Sequence, residues 1–140
     1  MNGAFPSRLA TRAMSIAASI LLLAGGVIHL KIWNDGYRNV PNHNLGRSFL
    51  VNAAASFALA VLLQVWHSRL VLLASVVVVN ATLVGFAMSR TDRGVFGFSE
   101  RGFSPSPEAA LSLIVEIAAA ALLLLLLAFE SRPVAAAPRR

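Results

Sequence analysis

The sequence predicts an all-α protein, a transmembrane four-helix bundle. Three observations carry that expectation. Hydrophobic residues make up 57% of the 140-residue chain and charged residues only 13%, about half the charged share of a soluble domain. The stretch Ala109 to Phe129 is 21 residues long and carries a single carboxylate, Glu116. At ~1.5 Å rise per residue a helix of that length covers about 30 Å, the thickness of a bilayer's hydrocarbon core. Three further apolar runs precede it, at about residues 13–33, 48–66 and 70–88. In lipid an isolated span satisfies its backbone only as a helix, so all four runs read as helices.

Residues 1–12 form a short polar segment with Arg8 and Arg12 ahead of the first apolar run. It resembles the leading part of a signal peptide. Ala24-Gly25-Gly26 is a poor cleavage site in a run that continues to Leu30, so the segment reads as an anchor that is kept. Gly25 and Gly26 lie inside the first helix, where they allow a neighbour to pack closely. His29 follows one turn later, and Lys31 can extend to the surface. Trp33 and Tyr37 suit the membrane interface, which accommodates both a ring and a polar tip.

Residues 34–47 read as a polar loop, with turns at Asp35-Gly36 and around Pro41, Asn42 and Asn44. The second helix carries Asn52, Ser56 and Ala60 at four-residue spacing, with Gln64 at its far end. The short connection His67-Ser68-Arg69 makes helices two and three an antiparallel hairpin. Helix three contains Asn80 and Thr82. The second long loop, residues 89–107, interleaves Phe96, Phe98 and Phe103 with Gly94, Gly97 and Gly102. Its phenylalanines either dock on the bilayer interface or fold back over the helix ends. Ser106-Pro107-Glu108 reads as a helix start, with a capping serine, a proline in the first helical position and an acid in the first turn. Residues 130–140 read as a disordered basic tail.

Four spans place both termini on one side (side A) and the two long loops on the other (side B). Lysine and arginine number six on each side. Side A is shorter and denser in basic residues, so the expectation is a multi-pass protein of the cell membrane with cytoplasmic termini. The net charge of +6 is dispersed at the ends of apolar runs, which suits anionic lipid headgroups and not nucleic acid. There is no cysteine, hence no disulfide framework and no thiolate metal site. No phosphate-binding loop, dinucleotide fingerprint, HExxH or GxSxG motif occurs. His29 alone among the histidines lies well inside a span, which disfavours a two-histidine haem site.

Counted by depth, each helix offers one strongly polar side chain in its side-B half: His29, Asn52, Asn80 and Glu116. Glu116 lies roughly 10 Å below the side-B end of its helix. Read functionally, the four line a polar pocket open to side B. His29 and Glu116 form its titratable pair, the asparagines orient a ligand, and Trp33 and Tyr37 complete the ligand-binding set. Read structurally, the same residues fix helix packing through interhelical hydrogen bonds. The small-residue stripe Ala109, Ser112, Glu116, Ala119, Ala120 reads as a packing face.

Two junctions carry a pattern. The first is Gly26-x-x-His29-Leu30-x-x-Trp33-x-x-Gly36-Tyr37-x-x-x-Pro41, followed by Leu45-Gly46-x-x-Phe49-Leu50. The second is Gly94-x-Phe96-Gly97-Phe98-x-Glu100-x-Gly102-x-x-Pro105-x-Pro107-Glu108-Ala109, followed by Glu116. The pattern resembles small, uncharacterised four-span membrane proteins of high-GC Gram-positive bacteria, and the outline is distantly similar to DoxX-like four-helix proteins, some of which are linked to quinone-coupled redox systems. The likeness implies a class and transfers no site. The leading expectation is a non-enzymatic membrane protein that binds a lipid-like or other small ligand, or serves as an accessory subunit of a larger membrane complex. The alternative is a redox or proton-handling subunit with a quinone near His29 and Glu116. A third is a small transporter built as a homo-oligomer.

Overall fold

The computed structural model describes residues 7–66 and 68–130. They form α1 (Arg8–Asp35), α2 (His43–Val65), α3 (Arg69–Ser89) and α4 (Glu108–Glu130), with a 3-10 turn at Tyr37–Asn39. Among the described residues there is no strand beyond one isolated bridge, Val95 with Phe98. All four helices are long and apolar enough to cross a membrane, as the spans of a small multi-pass membrane protein must be. The expected polar segment at residues 1–6, the residue at 67 and the tail at 131–140 lie outside the described residues.

All four helices begin earlier than the apolar runs do, and at three of them a capping side chain sets the start. Ser7 accepts a hydrogen bond from the Ala10 amide at 3.2 Å, so α1 starts at Arg8 and takes in Arg12. Asn42, expected in a turn, caps α2 through the Asn44 amide at 3.1 Å. Ser68 caps α3 through the Val71 amide at 3.2 Å. At α4 the order differs from the expectation. The helix starts at Glu108, and the carbonyls of Pro105 and Pro107 accept from the amides of Ala109 and Leu111 at 2.8 and 3.1 Å. Pro107 thus precedes the helix, and among the described residues the Ser106 hydroxyl caps no amide.

The helices form a ring in chain order, each packed on its two neighbours, with α4 closing onto α1 and no diagonal contact. The α1–α2 contact is the most extensive and α2–α3 the least. Small residues set the closest approaches. A Cβ at Gly26 would stand 2.7 Å from the Phe57 ring, and one at Gly46 would stand 2.7 Å from the Tyr37 carbonyl oxygen. The half toward side A has an apolar core of Ala18, Leu22, Leu59, Leu63, Leu72, Leu123 and Leu126. The stripe Ala109, Ser112, Glu116, Ala119 and Ala120 is the buried face of α4. Large apolar side chains such as Ile20, Val61, Val77 and Ile114 point outward, where lipid would meet them.

Polar contacts zip α1 to α2 near side A, among them the Ser15 hydroxyl donating to the Leu63 carbonyl at 3.4 Å. The Gln64 carboxamide donates to the Ser19 hydroxyl at 2.6 Å and to the Ser15 carbonyl at 3.1 Å. With Ser15 and Ser19 buried, these bonds replace water that the bilayer interior lacks.

Candidate functional site

Toward side B the bundle is not filled. A cavity of about 410 Å³ lies between α2 and α3 beneath the second loop. Phe49, Asn52 and Ala55 of α2 face Val78, Thr82, Gly85 and Phe86 of α3 across it. His29 and Ile32 of α1 and Ser112 of α4 form its inner wall. Val51 and Ala81 line it as well and are themselves exposed, so the cavity opens sideways between α2 and α3 as well as upward. Gly85 explains part of that slot, because no atom lies within 4 Å of where its Cβ would stand.

The second loop supplies the lid over this space. Arg90 is its centre. The guanidinium donates to the Gly102 carbonyl at 3.0 Å and the Ser104 carbonyl at 2.8 Å, stacks 3.8 Å from the Phe86 ring centroid, and pairs with Glu100 at 3.6 Å. The Glu100 carboxylate accepts in turn from the Tyr37 hydroxyl, and the Glu100 amide donates to the Ser89 carbonyl at 2.8 Å. Burial, and behind it the adjacent Glu100 carboxylate, hold the Tyr37 hydroxyl well above the usual phenol range. Three aromatic contacts continue the lid inward, Phe98 on Tyr37, Tyr37 on Phe49 and Phe49 on His29. Of the loop's phenylalanines, Phe98 folds in, while Phe96 and Phe103 remain more than half exposed at 55% and 56%. Folding back over the helix ends thus describes Phe98, and Phe103 also lies 6.3 Å from the Phe86 ring, centroid to centroid.

The loop holds this shape through a tight turn in which Val95 and Phe98 exchange backbone hydrogen bonds of 2.8 and 2.9 Å. Phe96 and Gly97 at its tip both have positive φ, 52° and 78°, as a two-residue hairpin turn requires. Gly94 is at φ 61°, and a Cβ there would stand 2.1 Å from the Phe98 carbonyl oxygen. Only glycine fits that position. The Asn42 carboxamide reaches across from the first loop to the Phe96 carbonyl and ties the two loops together.

The candidate residues separate on this geometry. His29, Asn52 and Tyr37 line the cavity. Trp33 is half-buried and outside the lining. Glu116 is buried, 4% exposed, one helical turn beyond the lining residue Ser112. Its carboxylate fills the notch left by Gly25, with Oε1 2.9 Å from where a Cβ would stand. The His29 ring places Nδ1 2.8 Å from the Gly25 carbonyl oxygen. The two residues thus share Gly25, but among the described residues no hydrogen bond or ion pair joins them, so the expected titratable pair does not form.

Asn80 requires a larger correction. It lies on the outer face of α3 beside Val77 and Val84, and its carboxamide donates to the Val76 carbonyl of its own helix at 2.8 Å. Depth along the helix placed it with the others, but each residue turns the side chain by about 100° around the axis. Thr82, two residues on, is the polar side chain of α3 that meets Asn52, and its hydroxyl accepts from the Asn52 carboxamide. Asn52 also accepts from Ser56 at 3.3 Å. Arg90 and Glu100, which no apolar span or motif in the sequence singles out, form the centre of the lid. Their sequence signal is only that a loop rich in glycine and phenylalanine carries charges of both signs.

Near the side-B end Lys31 pairs with Asp35 and, at 2.9 Å, with Glu108, which joins the end of α1 to the start of α4. Among the described residues no group of three or more His, Asp or Glu is placed to hold a metal ion. Comparison with protein-family models, with curated proteins and with solved structures gives no match to this chain.

Proposed function

We propose that this protein binds a small amphipathic molecule from the bilayer, with the ligand's head under the loop lid and its tail in the slot between α2 and α3. The observation that carries the reading is the cavity itself. Its volume of about 410 Å³ falls in the range of small-molecule sites, about 300–1,000 Å³. Phe49, Val78 and Phe86 give it apolar walls, and a few polar groups converge at one end: His29, Asn52, Tyr37 and the Arg90–Glu100 pair. Glu116 stands behind that end, across Gly25, as a packing group. The protein belongs in the cell membrane on this reading, with the side of Arg8, Arg12 and Arg69 in the cytoplasm and the lid outside. The support is the density of basic residues around the shorter side-A segments.

A photoactivatable single-chain probe in vesicles containing the protein tests the reading. Label is expected to concentrate on residues 48–55 and 78–89, to saturate, and to fall at least several-fold in Gly85→Phe, whose ring fills the slot. Even, unsaturable labelling of these segments and of the outer face around Ile114 would overturn it.

A further inference from the structure

We infer that the cavity selects a neutral head that donates a hydrogen bond, a hydroxyl, and that His29 Nε2 is the group that receives it. The inference rests on the proposed ligand cavity and adds its chemistry.

The argument starts from the Gly25 carbonyl, which can only accept. With Nδ1 at 2.8 Å from that oxygen, the proton of the neutral ring sits on Nδ1. Nε2 is then an acceptor. The His29 side chain is 5% exposed, and Nε2 has no hydrogen-bond partner among the described residues. Among those residues no fully enclosed side-chain nitrogen or oxygen lacks a partner. Nε2 is therefore not enclosed, and the side chain that carries it lines the cavity. An acceptor held inside an apolar site and left without a donor favours any ligand that brings one.

The remaining charges argue against an ionic head. The charged residues in the lining are Arg90 and Glu100. They pair with each other, and Arg90 is also committed to the Gly102 and Ser104 carbonyls and to the Phe86 ring. No unpaired cation faces a carboxylate or phosphate there, and the Glu100 carboxylate is already engaged by Tyr37. A hydroxyl head could belong to a lipid, such as a monoacylglycerol, or to a membrane phenol. The two share the chemistry that Nε2 recognises.

Competition against the photoactivatable probe tests this with matched tails and different heads: a monoacylglycerol, a long-chain phenol, the corresponding methyl ether, a fatty acid and an alkyl trimethylammonium. One or both hydroxyl heads are expected to compete about tenfold more strongly than the ether, and their order identifies the source. In His29→Leu the labelling persists and the preference for hydroxyl disappears. A reading that needs no variant is nitrogen-15 resonance in histidine-labelled wild type, where the acceptor-type Nε2 signal of His29 shifts with a hydroxyl probe and stays with the ether. Saturable labelling without head preference, or stronger competition by the fatty acid or the trimethylammonium, overturns the inference and leaves the cavity reading standing. Absence of saturable labelling defeats the cavity reading first.

Discussion

The α1–α2 and α2–α3 interfaces make opposite use of the same helix. Between α1 and α2 the connection is longer, yet the helices meet closely, with Gly26 against Phe57 and Gln64 between two serines, and Gly46 packs on the Tyr37 carbonyl of the connecting turn. Between α2 and α3 only residues 66–68 intervene, yet the helices part toward side B around a cavity. Chain proximity thus does not set packing here. Glycine opposite an aromatic ring draws two helices together. Gly85, with no atom near its missing side chain, leaves a gap.

The largest expected effect comes from adding volume on each side of that comparison. Gly26→Leu forces its side chain into the Phe57 ring and should cost about 1–3 kcal/mol, read as denaturant unfolding in detergent. Gly85→Leu adds the same atoms to open space and should leave stability within about 0.5 kcal/mol of wild type. Equal losses in both would show that the two interfaces are equally tight, and the contrast would fail.

Removing the carboxylate from the lid is next. Glu100→Ala strips Arg90 of its ion pair and Tyr37 of its acceptor at a site where both charged side chains are mostly buried, 20% and 15% exposed. The expected loss is about 1–3 kcal/mol. A pH dependence accompanies it. The Tyr37 hydroxyl is held above its ordinary value by burial first and by Glu100 second. The folded state therefore favours the protonated phenol. That contribution is complete below the ordinary phenol pKa of about 10 and is lost as pH rises beyond it toward the raised value. Tyr37 is the single tyrosine in the chain, so phenolate absorbance reports it directly. Glu100→Gln should move the absorbance titration downward, and an unchanged titration would remove Glu100 as a cause.

The smallest effect belongs to the zip near side A. Gln64→Leu deletes the donor shared by Ser15 and Ser19 and should cost about 0.6–2 kcal/mol, the range for hydrogen bonds between membrane helices. A loss larger than that of Gly26→Leu would mean that polar bonds, and not close approach, hold α1 to α2.

These two interfaces also show what was legible in the sequence. The four spans were, because apolar runs of bilayer length leave one backbone solution. Their starts were not, since Ser7, Asn42 and Ser68 cap helices from outside the apolar runs. Depth was legible and direction was not. Asn52 and Asn80 both fall in the side-B half of their helices, yet Asn52 meets Thr82 while Asn80 faces outward. The lid was least legible. Tyr37, Arg90 and Glu100 come together only through the turn at Gly94 to Phe98, and no periodicity links residues so far apart.

The link between the first and last helices also bears on how the protein is made. Gly25 receives the Glu116 carboxylate, and Lys31 reaches Glu108. At synthesis rates of about 5–20 residues per second, the ribosome completes Glu116 roughly 5–20 s after Gly25. During that interval α1 has only α2 to hold it in the membrane, and theirs is the closest-packed pair. The looser α2–α3 pair can wait, because α4 arrives to brace α3 and α1 together. The order of translation and the order of interface strength therefore run in the same direction.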